Sequence, residues 1–92
     1  MKYATRIRMK PGCGSSNDLT EIDEIFIDGD GVYQFYKKEY VHDLVKANPC
    51  SIKVSLAPYP YVVHAISSRG EKYVRSEPND RTSDNLLRLP RV

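Results

Sequence analysis

Ninety-two residues with 40% apolar and 28% charged side chains and a net charge of +2 make one small globular domain with a thin core, which excludes intrinsic disorder. The positive excess is too small to imply nucleic acid by itself, and no run approaches membrane-spanning length. The first eight residues alternate where a secretory signal would carry an apolar block, and Cys13 and Cys50 belong to no CxxC pair, so a cytoplasmic protein with free thiols and no membrane contact is expected.

Strict alternation predicts a first strand over Tyr3 to Met9, with Tyr3, Thr5, Ile7 and Met9 on one face and Ala4, Arg6, Arg8 and Lys10 on the other. Pro11 to Asp18 is a loop by composition. Leu19 to Asp28 carries two signals. Leu19, Ile22, Ile25 and Phe26 have helical spacing behind Asp18, while Ile25-Phe26-Ile27 is β-prone and runs into the turn Asp28-Gly29-Asp30-Gly31. It reads as a strand, bulged, pairing with the first, and Val32 to Tyr36 as its hairpin partner. Charge supports the pairing: residues 1–10 hold Lys2, Arg6, Arg8 and Lys10 with no acid, and residues 18–30 hold six acids with no base.

Lys37 to Asn48 is the one clear helix, with Tyr40, Val41, Leu44 and Val45 in one stripe, His42 pointing away from it, and Asn48-Pro49 as the stop. Ser51 to Ala57 alternates again, and Pro58-Tyr59-Pro60 interrupts it. Tyr61 to Ser67 and Glu71 to Ser76 form a second hairpin. Tyr61 to Ser67 is apolar on both faces and is expected to be central.

No sequence motif supports catalysis. Asp28-Gly29-Asp30-Gly31 opens like a calcium loop, but Val32 and Tyr33 stand where an oxygen ligand and a glycine belong. His42 and His64 have no metal-ligand spacing to cysteine or each other, and His64 reads as a partly buried strand residue. Cys13 lacks an adjacent cation to activate it. No catalytic, cofactor-binding or metal residues are therefore assigned, and no cofactor is expected. Seven tyrosines together with Arg6, Arg8, Arg69, Lys72, Arg75 and Arg81 would suit a sheet face for single-stranded nucleic acid, led by Tyr73 and Arg75. The same residues also serve a small core edged by tyrosine and arginines paired with the acidic strand. Tyr59 and Tyr61, between prolines, form a stiff knob that either packs on the core or meets a protein.

The chain ends Asp84-Asn85-Leu86-Leu87-Arg88-Leu89-Pro90 after a polar stretch from Glu77. Ser83 or Asp84 is placed to cap a short helical turn over Asn85, Leu86 and Leu87, which Pro90 ends. The leucines either dock on the sheet or form an interface. Docking is favoured because so thin a core lacks aliphatic mass. Asp84 and Asn85 either hold that turn or, beside Arg75 and Arg88, form a recognition site. From Val63 onward, Tyr73-Val74-Arg75-Ser76 and this Asp-Asn-Leu-Leu-x-Leu-Pro ending resemble a family of small bacterial proteins of uncharacterised function. The resemblance implies a compact α+β domain and brings no activity with it.

The expected architecture is α+β: residues 1–92 as a single domain, a mostly antiparallel sheet of five or six strands curling toward a barrel, one helix packed on it, and residues 77–92 docking as a tail. The leading functional reading is a non-enzymatic module that binds a protein partner or itself. Its candidate contacts are Tyr59, Tyr61, Tyr73, Arg75, Asp84, Asn85, Leu86, Leu87 and Arg88. Nucleic-acid binding is the alternative, and a small enzyme the third.

Overall fold

A computed structural model describes residues 1–77 and 84–92. The polar stretch after Glu77, including Ser83 as a cap, lies outside the described residues. The strands are β1 (Lys2–Met9), β2 (Ile22–Gly29), β3 (Val32–Lys37), β4 (Ile52–Val54), β5 (Val62–Ile66) and β6 (Lys72–Ser76). Helix α1 (Lys38–Ala47) follows β3 directly, and 3-10 turns occupy Leu19–Glu21 and Asn85–Arg88.

These strands form two sheets where a single one was expected. Four lie in the order β3-β2-β1-β4 and two in β5-β6, with no closed barrel. β5 is consequently one half of a hairpin rather than a central strand. An antiparallel bridge between Lys53 and Tyr61 links the two sheets edge to edge. β4 runs parallel to β1, because the chain reaches it through α1 rather than through a tight turn.

β1 departs from strict alternation. Its register against β2 shifts between Ala4 and Arg6, so Thr5 is an extra residue and Ala4 turns inward with Ile7 and Met9. Tyr3 faces out instead, and Arg6 faces out as the alternation predicts. A second shift, at Asp23, lets Ile22 join Ile25 and Ile27 on the inner face. The ambiguous segment contains both of its signals: Asp18 caps the 3-10 turn Leu19–Glu21, accepting from the Thr20 amide at 2.9 Å, and the strand starts immediately after it.

Val41, His42 and Val45 are the buried side of α1, with Lys38 one turn earlier; Tyr40 is 53% exposed and leaves the expected stripe. The cause is the hairpin: α1 packs mainly on β5 and β6, which rotates its buried face toward His42. His42 Nδ1–H donates to the Tyr73 carbonyl at 3.0 Å, and its ring meets His64 edge-on. His64 itself is exposed.

The C-terminal segment completes β1. Leu86 and Leu89 are buried in the same core as Ile7 and Val74, while Leu87 is partly buried. Beyond β4, the free edge of β1 is taken by the tail: the Ile7 amide donates to the Pro90 carbonyl, and the Val92 amide to the Ile7 carbonyl, each at 3.0 Å. No described helix is long and apolar enough to cross a membrane.

Candidate functional site

Helix, hairpin and tail all pack on the inner face of the four-stranded sheet, and strand alternation sends the remaining side chains outward. Their registers align them in three rows. The first runs Tyr61, Lys53, Tyr3, Asp28, Tyr33; the second Arg6, Phe26, Phe35; the third Arg8, Glu24, Lys37.

Aromatic rings and cations interlock across the rows. Phe26 meets Tyr33 and Phe35 edge-on, with ring centroids 4.7 and 5.0 Å away. The Arg6 guanidinium lies 4.0 Å above Phe26, Arg8 4.2 Å above Phe35, and Lys53 Nζ 5.1 Å from Tyr61. Each such contact contributes about 0.5–1 kcal/mol at an exposed site. Phe26 is only 7% exposed yet stands outside the core cluster, so its cover comes from these neighbours. Tyr33, by contrast, is 71% exposed.

Two cations of this face, Arg8 and Lys37, have acidic partners. Arg8 pairs with Glu24 at 2.6 Å, as the opposite charge of β1 and β2 predicts, and Lys37 with Asp23 at 3.2 Å. Asp28 adds a further carboxylate to the first row.

The residues singled out from sequence fall into separate places. Tyr61 ends the first row, and Tyr59, 52% exposed, lines a hollow of about 410 Å³ with Tyr3, Lys53 and Ser55. Tyr59 is held there by a tight turn with φ 60 next to a cis Ala57-Pro58 peptide. Tyr73 lies on β6, half-buried, and shares a second hollow of about 660 Å³ with Asp84, Leu87 and the Asn17–Thr20 loop. Arg75 and Arg88 are exposed and belong to neither hollow.

Asp84 and Asn85 are engaged with backbone. The Asp84 carboxylate accepts from the Leu86 amide at 2.9 Å and from the Ser76 amide at 3.0 Å, joining the 3-10 turn to β6. Asn85 is fully buried, and its Nδ2 donates to the carbonyls of Leu56 and Ala57. Leu86 is fully buried too.

Two polar clusters lie elsewhere. The Cys13 thiol donates to Glu21 Oε2 at 2.9 Å and the Ser16 hydroxyl to Glu21 Oε1. The bond to Glu21 pushes the thiol pKa up, so Cys13 keeps its proton and ties the loop. Glu71 accepts from Lys10 at 2.8 Å and from the buried Lys38 at 2.9 Å, and these hydrogen bonds lower its carboxyl to about 2.

Phe26, Phe35 and Lys53 were not singled out from sequence. Phe26 had a signal: in Ile25-Phe26-Ile27 it has the parity of Glu24 and Asp28, which marks the outward face. Lys53 had the parity signal as well, but its pairing with Tyr61 joins segments across a Pro-rich turn.

The family described as a protein of unknown function (DUF3892) matches residues 3–90. The chain belongs to this family. The DUF3892 match spans the outward rows and the C-terminal turn alike, and its description assigns no activity. No curated protein and no solved structure matches the chain significantly.

Proposed function

We propose that this DUF3892 domain is a non-enzymatic module that binds protein through the outward face of its four-stranded sheet. The observation that carries the reading is the lattice of Phe26, Tyr33 and Phe35 interleaved with Arg6 and Arg8. Tyrosine and arginine dominate the energetic centres of protein interfaces, where stiff rings exclude water and guanidinium groups supply directed hydrogen bonds. The free thiols of Cys13 and Cys50 suit a reducing, cytoplasmic setting.

Single-stranded nucleic acid is the second reading, since bases stack on such rings and on guanidinium planes. The carboxylates argue against it. Glu24, Asp23 and Asp28 would repel phosphates, and two of the face's cations are already paired.

The two readings separate in one experiment. The chain is immobilised and exposed to host lysate beside an Arg6→Ala/Tyr33→Ala variant, and eluates are read by mass spectrometry and by the 260/280 nm absorbance ratio. A protein retained by the parent and lost by the variant is the expected result. Loss of two such anchors weakens binding by roughly 30-fold or more. Retention by both, or a nucleic-acid absorbance released by Arg6→Ala, would overturn the reading.

A further inference from the structure

The two edges of the four-stranded sheet are treated differently. β4 is three residues long and its outer edge is occupied, with Lys53 bridged to Tyr61 and the Val54 amide donating to the Pro60 carbonyl at 2.8 Å. β3 ends the sheet at the other side with six residues, no proline and an unbroken register from Glu24↔Lys37 to Gly29↔Val32. Only Lys37 supplies the charge that usually blunts such an edge.

The hairpin turn determines which groups β3 presents. Asp30 and Gly31 both have positive φ, 53° and 83°, the signature of a two-residue type I′ turn whose flanking pair, Gly29 and Val32, is hydrogen-bonded. Alternation along the ladder then directs the N–H and C=O groups of Tyr33 and Phe35 away from β2.

We propose that β3 pairs antiparallel with β3 of a second copy of this chain, about a two-fold axis at Gln34, joining two four-stranded sheets into one of eight strands. The proposal goes beyond the outward-face reading, since it uses the edge of β3 and names a second copy of the chain as the partner. Face parity requires partners whose numbers sum to an even value, and an axis at Gln34 satisfies it. Tyr33 then lies across Phe35 of the second copy in a hydrogen-bonded pair, so the row Arg6, Phe26, Phe35 continues into the neighbour's Tyr33. On the inner side Val32 lies across Tyr36, whose ring stacks on the half-exposed Tyr40 at 4.9 Å.

Charge selects the antiparallel arrangement. β3 begins at a turn where Asp30 meets the Met1 amino group through Oδ1 and ends at Lys37, which meets Asp23; Asp30 and Lys37 are both more than half exposed, and two-fold pairing sets Lys37 of each copy beside the Asp30 carboxylate of the other. Parallel pairing would set like ends together. A contact limited to one strand and its flanking rings lies at the small end of specific interfaces, so the dimer is transient and concentration-dependent.

Sedimentation equilibrium of the full chain over a range of concentrations, with amide hydrogen exchange measured at both extremes, tests this. The expected result is a mass that rises toward twice the monomer's, with the Tyr33 and Phe35 amides slowing as it does. Tyr33→Pro removes an outward amide without touching the β2 ladder, and is expected to stay monomeric with an unchanged circular dichroism spectrum. If that variant misfolds, Gln34→Arg places two like charges on the axis and should weaken dimerisation at least about tenfold. A monomer at every concentration, a dimer whose Tyr33 and Phe35 amides exchange unchanged, or a dimer indifferent to Gln34→Arg would each overturn the pairing. None of these results alters the lysate experiment, in which Arg6 and Tyr33 are judged by capture of a different protein.

Discussion

Replacing Leu86 with alanine removes a fully buried side chain from the core cluster shared with Ile7 and Val74. The turn that carries it is fixed on both sides, by the Asp84 carboxylate at its start and by the Pro90 and Val92 contacts to Ile7 after its end. The surroundings therefore have little freedom to collapse into the void. Leucine-to-alanine changes at such sites cost about 3–5 kcal/mol, transfer and cavity together. Unfolding entropy of about 2.1 cal/mol/K per residue gives a chain of this length about 0.2 kcal/mol/K. A loss of about 3 kcal/mol then lowers Tm by about 15 °C, readily seen in a circular dichroism melt. Leu87→Ala is the control: that side chain is only partly buried, and its loss should cost about 1 kcal/mol or about 5 °C. If the two variants melted together, or if Leu86→Ala melted like the parent, the assignment of Leu86 to the core would be refuted.

Gly29→Ala should be destabilising for two reasons at once. Its φ of +129° is a region that side-chain-bearing residues avoid, and an added Cβ would stand 2.3 Å from the Met1 carbonyl oxygen. Backbone strain alone is worth about 1–3 kcal/mol, and the clash adds to it. Gly31→Ala shares a positive φ of +83° but meets open space, so in urea titrations it should lose clearly less; equal losses would show that the approach of Met1 is unimportant. Glu71 predicts a pH dependence. Its folded pKa of about 2 lies below the ordinary 4.5, so the unfolded chain takes up this proton first as pH falls. The contribution of Glu71 is complete above pH 4.5 and is lost progressively toward about 2. Urea midpoints across that window should fall less steeply in Glu71→Gln than in the parent; parallel curves would disprove the link to Lys10 and Lys38.

Local signals were legible in the sequence. The extent of β1, the turn at Asp30-Gly31, the helix ending at Asn48-Pro49 and the second hairpin each depend on neighbours within a few residues, and each occurs where expected to within a residue or two. Pairings between distant segments were not legible. Nothing in Ile52-Lys53-Val54 announces a parallel partner in β1, and with only three residues paired the rest of the expected strand becomes loop. The extra residue at Thr5 exchanges the faces of Ala4 and Tyr3, although the letters alternate cleanly on both sides of it. His42 was misplaced for a related reason: which side of a helix is buried depends on what packs there, and here a hairpin made of later residues does. The outward rows were half legible, since Arg6, Arg8 and the tyrosines stood out by type, while Phe26 was hidden between two isoleucines.

β1 owes its central position to two unrelated segments, β4 beside its first residues and the Pro90–Val92 stretch beside Ile7. The second contact closes a loop of nearly the whole chain, and loop closure over such a span is entropically costly until other structure holds the ends together. The seam at Ile7 is therefore expected to close after helix and hairpin have formed the floor on which Leu86 and Leu89 settle. Until then the middle of the domain presents a bare strand edge, so the interval in which this chain can pair wrongly lasts until Pro90 and Val92 are in place.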